Sequence, residues 1–217
     1  MSQNSQSHRV VVYYQTQYDN RKFVSPAPLT SLATHLIIAA FHLSSDKTIR
    51  LNNISPEDPT YNQMWKDVEQ MQGDGVKVMA MLGGADKGSY RNLSSDFNDY
   101  YNLLSSCIKK HKLDGIDLDV EEIESYQHIV QLITQLRKEF GMSFIITLAP
   151  VASSLQGGTD SVSGFSYSHL EKTLGDDIDW YNAQFYSGFG SMGDTTDYND
   201  IVKDCPLNPH QQVHTLL

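Results

Sequence analysis

The sequence predicts an α/β protein built on parallel strands, and three features predict it. About six short apolar segments with strand character alternate with segments whose apolar residues recur at helical spacing. A helical segment between consecutive strands is what a parallel sheet needs as a crossover. The third feature is Leu113-Asp114-Gly115-Ile116-Asp117-Leu118-Asp119-Val120-Glu121, near the middle of the chain, where acids and aliphatics alternate from Asp117 onward. An open doubly wound sheet and a closed (β/α) barrel both fit the alternation. No G-x-G-x-x-G follows the first strand and no P-loop is present, so the phosphate loops that mark many open sheets are missing. In a barrel, active residues sit at the C-terminal strand ends, and Glu121, Gly83-Gly84 and Tyr186 fall at such ends.

In chain order, Val10 to Tyr14 is β-branched and aromatic and reads as the first strand. His35 to Phe41 reads as a second, buried strand. Tyr61, Met64, Trp65, Val68 and Met71 make a helical stripe ended by Gly73 and Gly75, with Trp65 expected in the core. Val76 to Leu82 is the third strand, stopped by Gly83-Gly84. Ser94 or Ser95 is the expected cap of a helix carrying Phe97, Tyr101, Leu104 and Ile108. After the acidic strand, Tyr126, Ile129, Val130, Ile133, Leu136 and Phe140 form another stripe, closed by Gly141. Phe144 to Leu148 is a fifth strand, and the Gly/Ser-rich 151–164 segment a loop. Tyr167, Leu170 and Leu174 mark a short helix before Gly175. Ile178 to Tyr186 is a sixth strand, Asp197 to Lys203 a short helix, and Gln212 to Leu217 the start of a seventh strand.

The 217 residues are enough for one domain with a real core; residues 1–9 read as a disordered polar N-terminus and 10–217 as the domain. With 26 acidic against 16 basic residues and a net charge of -10, nucleic acid and anionic membrane are poor partners. Cys107 and Cys205 form neither a metal spacing nor a disulfide framework and read as buried free thiols. The eight histidines show no H-E-x-x-H or similar spacing, so neither a metal nor another cofactor is expected. The N-terminus lacks the apolar core of a signal peptide, which predicts a cytoplasmic chain as written; an incomplete N-terminus would open an extracellular location. Asn53-Ile54-Ser55 and Asn92-Leu93-Ser94 match the glycosylation pattern, which matters only on export.

In a strand, side chains alternate between faces, so Asp117, Asp119 and Glu121 share one face, roughly 6–7 Å apart, and Ile116, Leu118 and Val120 the other. Three like charges on a buried strand are costly. The pattern therefore requires either an exposed edge strand or a function, and its position at a strand end favours function. Asp114 has the opposite parity and is expected to fix the strand entry. Glu122, also of opposite parity, is expected to face solvent.

The stretch Asp114 to Glu121 resembles the D-G-x-D-x-D-x-E signature of glycoside hydrolase family 18, which comprises chitinases, endo-β-N-acetylglucosaminidases and inactive lectins. Leu82-Gly83-Gly84 resembles the end of that family's third strand and Ala39-Ala40-Phe41 its second. Tyr181-Asn182-Ala183-Gln184-Phe185-Tyr186 resembles the sixth strand of the class III and fungal chitinase branch. The resemblance implies a (β/α)8 barrel of the TIM type and hydrolysis of β-1,4-N-acetylglucosamine linkages in chitin or chito-oligosaccharides. It implies the substrate-assisted route, in which the 2-acetamido oxygen of the sugar attacks the anomeric carbon. It assigns Glu121 as the acid for the leaving oxygen, with a pKa raised by enclosure and by the neighbouring Asp. Asp119 would hold the acetamide N–H, Asp117 would share a proton with Asp119, and Tyr186 would bond the acetamide oxygen. Gln184, Asn182, Tyr13 or Tyr14, Phe41, Gly83 and Gly84 would line the sugar site.

The match is incomplete. Six clear strands and a possible seventh are present, and no residue answers to the tryptophan that the family carries on its eighth strand: Trp180 lies in the sixth and Trp65 in a helix. The expectation is a C-terminally truncated barrel. An inactive carbohydrate-binding relative and an endo-β-N-acetylglucosaminidase acting on N-glycans remain the alternatives.

Overall fold

In the computed structural model, residues 9–157, 162–204 and 213–216 are described, Asp204 and the last four by their backbone alone. Seven parallel strands lie side by side in chain order: β1 (Val11–Tyr14), β2 (His35–Ser44), β3 (Lys77–Gly83), β4 (Gly115–Asp119), β5 (Ile145–Leu148), β6 (Trp180–Gln184) and β7 (Val213–Leu216). The helices α1 (Asn62–Gly73), α2 (Ser89–Ser95), α3 (Phe97–Lys110), α4 (Tyr126–Phe140), α5 (Tyr167–Leu174) and α6 (Thr196–Asp204) form the crossovers from β2 onward. Seven successive strands of a (β/α)8-type barrel are thus in place, and the acidic stretch forms a central strand, not an edge. A short antiparallel strand, Thr48–Leu51, folds back on β2. Among the described residues, no helix is long and apolar enough to cross a membrane.

Strand alternation separates two cores. Leu36, Ile38, Val78, Leu82, Ile116, Leu118, Ile146 and Leu148 face outward and pack against the helices. Ile37, Ala39, Ala40, Met79, Met81 and Trp180 fill the inside of the curved sheet. The register of β3 on β4 pairs Met81 with Asp117 and Gly83 with Asp119, which carries the acids onto the inner face. The helices follow their stripes: α4 buries Ile129, Leu132, Ile133 and Leu136 and ends at Gly141, each such side chain contributing about 1.5–3 kcal/mol. Ser125 caps α4 by accepting the His128 N–H.

Asp114 acts as a strand-entry clamp, as its parity predicts. Its carboxylate accepts the Val78 N–H at 2.9 Å and meets Lys77 at 3.0 Å. Asp179 repeats the device two strands further on, taking the Ile146 N–H at 2.8 Å and Arg137 at 2.7 Å.

Three local expectations change. Ser94 and Ser95 lie inside α2, a helix the sequence reading missed, and Asp96 stands before α3 instead. Trp65 is only half-buried; it stacks on His111 and donates to the Pro56 carbonyl at 2.8 Å. Phe41 is fully buried in the outer core. The β2–β3 register shifts between Ile38 and Phe41, so Ala39 and Ala40 both join the inner core and Phe41 turns toward the helices. Cys107 is buried as expected; Cys205 lies outside the described residues.

Candidate active site

The C-terminal strand ends surround a cavity of about 860 Å³, lined by Tyr13, Gly83, Gly84, Asp119, Glu121, Gln184 and Tyr186, together with Ala40, His42, Met81 and Phe189. Strands β1, β3, β4 and β6 therefore bring most of the sequence-predicted residues to one place. Phe41, Asn182 and Asp117 do not line it. Phe41 was turned away by the register shift. Asn182 and Asp117 sit beneath the cavity floor, 1% and 0% exposed.

Asp117 is held by three donors from three different strands, β1, β5 and β6. The Tyr13 hydroxyl donates to Oδ2 at 2.6 Å, Asn182 Nδ2 donates to Oδ1 at 3.0 Å, and the Thr147 hydroxyl also donates to Oδ1. Burial pushes the Asp117 carboxyl above its ordinary range, while these three donors oppose the rise. Tyr13 therefore makes a polar contact, whereas Tyr14 donates to the Val24 carbonyl and packs. Thr147 escaped the sequence reading. Its signal was a hydroxyl in the otherwise apolar strand Ile145-Ile146-Thr147-Leu148.

Asp119 is the most perturbed acid. Burial raises its pKa well above the ordinary value, and so do the charges of Glu121 and Asp117; donation from Gln184 opposes them. Gln184 Nε2 donates to Asp119 Oδ1 at 3.1 Å and to the Ala149 carbonyl at 2.9 Å, so its amide is committed to the acid. The Glu121 charge raises Asp119 more than the Asp117 charge does, and the oxygens of Asp117 receive three donors of their own. Glu121 lies two residues past the end of β4 and is half-buried rather than enclosed. Tyr186 is 44% exposed at the rim, and burial, then the charges of Asp119 and Glu121, push its phenol up.

Gly83 is required by contact, and Gly84 by its φ of +92°. The Gly84 N–H donates to the Asp119 carbonyl at 2.9 Å. At Gly83, φ is +98° and a Cβ would stand 2.3 Å from that carbonyl oxygen and 2.6 Å from the Tyr90 ring.

Glu122 reverses its expectation. It is 8% exposed, and its Oε1 accepts the N–H groups of Gly88 and Tyr90, both at 2.9 Å. The strand ends at Asp119, so the period-two argument no longer governs Glu122, and the chain turns its carboxylate toward α2. Tyr90 in turn donates to the Leu82 carbonyl at 2.8 Å, tying α2 to the end of β3.

The profile of Glycosyl hydrolases family 18 matches residues 9–216. The chain belongs to glycosyl hydrolase family 18. Chitinase 1 of Tulipa saxatilis subsp. bakeri is 29% identical to this family 18 chain over 192 residues. A chitinase of Enterococcus faecalis is 24% identical over 162 residues. The alignments cover 81% and 71% of this chain but 58% and 44% of those proteins. Among solved structures, a fungal family 18 endo-beta-N-acetylglucosaminidase superposes with a TM-score of 0.88 at 44% identity, covering 94% of this chain and 76% of that one. The chitinase ChiC from Aspergillus fumigatus gives 0.86 at 46% identity, covering 90% and 73%.

Proposed function

We propose that this chain hydrolyses β-linked N-acetylglucosamine units, as in chitin or chito-oligosaccharides, by the substrate-assisted retaining route. The observation that carries the reading is that Asp119, Glu121 and Tyr186 line one cavity at the C-terminal strand ends, with the Glu121 charge close enough to raise the Asp119 pKa. Both acids rise from the C-terminal end of β4, so they approach the sugar from one side and leave its opposite face to a nucleophile of the substrate. The 2-acetamido group of the substrate supplies that nucleophile.

In the reaction, the acetamide carbonyl oxygen bonds to the anomeric carbon while the bond from that carbon to the leaving oxygen breaks. Glu121 gives its proton to the leaving oxygen. The product of this step is an oxazolinium ion, stabilised by Asp119 beneath the acetamide N–H. Water then adds to the anomeric carbon, its proton passes to Glu121, and the acetamide is released with configuration retained. The raised pKa of Asp119 supports its part: its carboxyl lies buried beside the Glu121 charge, and as substrate binds it turns to the acetamide N–H. Tyr186, exposed at the rim, supplies a hydroxyl for the acetamide oxygen. Asp117 acts through Asp119 as a fixed charge below it.

The chitinases of tulip and Enterococcus and the structural likeness to ChiC support a chitin-type substrate. The likeness to the fungal endo-β-N-acetylglucosaminidase at 44% identity supports a second reading, cleavage within the chitobiose core of N-glycans, by the same chemistry. The test is hydrolysis of a fluorogenic chito-oligosaccharide and of a high-mannose glycopeptide by wild type and Glu121→Gln. Cleavage of the first that falls at least about 10²-fold in the variant is the expected result. Equal rates in both proteins would remove Glu121 from the mechanism, and wild-type binding without cleavage would favour a lectin-like chain.

A further inference from the structure

Behind Asp117 stands a side chain that takes no part in the mechanism above. Trp180 opens β6 and is 2% exposed, among the aliphatic and methionine side chains of the inner core. Such layers inside a parallel barrel are ordinarily filled by branched aliphatic residues. Here the indole Nε1 donates to Asn182 Oδ1 at 3.0 Å. The Asn182 amide then turns its Nδ2 to Asp117 Oδ1 at 3.0 Å and to Thr147 Oγ1 at 3.4 Å. The Trp180 ring is itself held: the Arg9 guanidinium lies 4.6 Å from its centroid, and the His35 ring meets it edge-on at 5.0 Å.

An asparagine amide has nearly the same shape in either orientation, so its neighbours select one. An indole N–H only donates, and an ionised carboxylate only accepts. With Trp180 on one side and Asp117 on the other, a single orientation satisfies both. The reverse would set an NH2 against an N–H and a carbonyl oxygen against a carboxylate, in a buried site where unmatched groups are costly. A phenylalanine at position 180 would fill the space and leave Asn182 free to turn its oxygen to Asp117.

We propose that Trp180 is a positioning residue of this site: its indole N–H locks the Asn182 amide so that the amide donates to Asp117. The inference rests on the reading of Asp117, Asp119 and Glu121 as the hydrolytic centre. The other groups that face Asp117 are the phenol of Tyr13 from β1, Asp119 on β4 itself and the Thr147 hydroxyl from β5, and the Tyr90 phenol from α2 also feels its charge. Arg9 and His35 reach Trp180 and not the carboxylate.

The experiment follows the carboxyl carbon of Asp117 by NMR in protein labelled with [4-13C]aspartate, through a pH titration of wild type, Trp180→Phe, Asn182→Ala and the double variant. Its resonance is assigned with Asp117→Asn. Loss of an N–H donor favours the protonated acid, so the titration of Asp117 moves to higher pH in W180F. It moves no further in W180F/N182A than in N182A, because the indole acts through that amide. With a chito-oligosaccharide, kcat falls about tenfold in W180F with little change in KM, and the acid limb of the pH profile moves with the NMR midpoint. An Asp117 titration unchanged by W180F, or full additivity in the double variant, overturns the proposal. If W180F does not fold, β-(3-benzothienyl)alanine at position 180 keeps the shape and removes only the N–H, with the same two outcomes. The NMR result does not depend on turnover. A chain with the shifted titration but no hydrolysis contradicts the proposed function and not this inference.

Discussion

Replacing Glu122 by alanine would remove the only carboxylate that joins the loop after β4 to the start of α2 among the described residues. Its Oε1 takes two backbone N–H groups, those of Gly88 and Tyr90, both at 2.9 Å. Gly88 lies at +124° in φ just ahead of α2, and Tyr90 is 2% exposed. Water reaches Tyr90 poorly, so its N–H would lose its acceptor almost uncompensated. A buried donor left without a partner costs about 1–3 kcal/mol. The two together amount to about 3 kcal/mol, less than the full sum, since Glu122 lines a surface pocket with Lys87 and Arg91 through which water reaches the vacated space. In a chain of this size that is a fall in Tm of about 6–12 °C. Glu122→Gln is the control. Both bonds fall on one oxygen, and an amide oxygen accepts both, so the loss should be about 1 kcal/mol or less. Urea unfolding followed by tryptophan fluorescence measures the two variants side by side. Equal losses in E122A and E122Q would mean that charge, not acceptor geometry, holds the loop. No loss in E122A would refute the clamp altogether.

Two further outcomes follow from the perturbed groups. The pKa of Asp119 is raised on folding by burial and by the charges of Glu121 and Asp117, so its contribution to stability is full below the unfolded carboxyl value and is lost as pH rises through the folded value. Asp119→Asn keeps the neutral shape and the Gln184 contact; thermal unfolding should show it about 1–2 kcal/mol more stable than wild type at pH 8, with the gain gone near pH 3. A gain that persists at pH 3 would contradict the electrostatic cause. The Cys107 thiol is pushed up to about 12, first by burial and then by the Glu57 charge. Iodoacetamide at pH 8 should therefore leave it unmodified in the native protein and alkylate it in guanidinium, as read by peptide mass mapping; rapid native labelling would refute its burial.

The legible part of this protein is whatever depends on local period and on neighbours in sequence. Alternation along 116–121 is enough to assign Asp117 and Asp119 to one face, because a strand has no other way to arrange successive side chains. Apolar stripes at helical spacing locate α1, α3 and α4 for the same reason, and the parity of Asp114 separates its clamp role from the acids. The resemblance of the 114–121 and 181–186 stretches to one family supplied the chemistry, since those residue types in that order leave few alternatives.

Tertiary structure decided what depends on where a period stops and on which distant chain lies opposite. A register shift in β2 sent Phe41 to the helices, and the end of β4 at Asp119 released Glu122 from its expected exposure. Neither break has a marker in the local sequence, because both arise from how adjacent strands fit. The three donors on Asp117 come from positions 13, 147 and 182, brought together by the curvature of the sheet. The sequence places an acid at position 119. Its raised pKa depends on the desolvation and neighbouring charge that only the folded barrel creates around it.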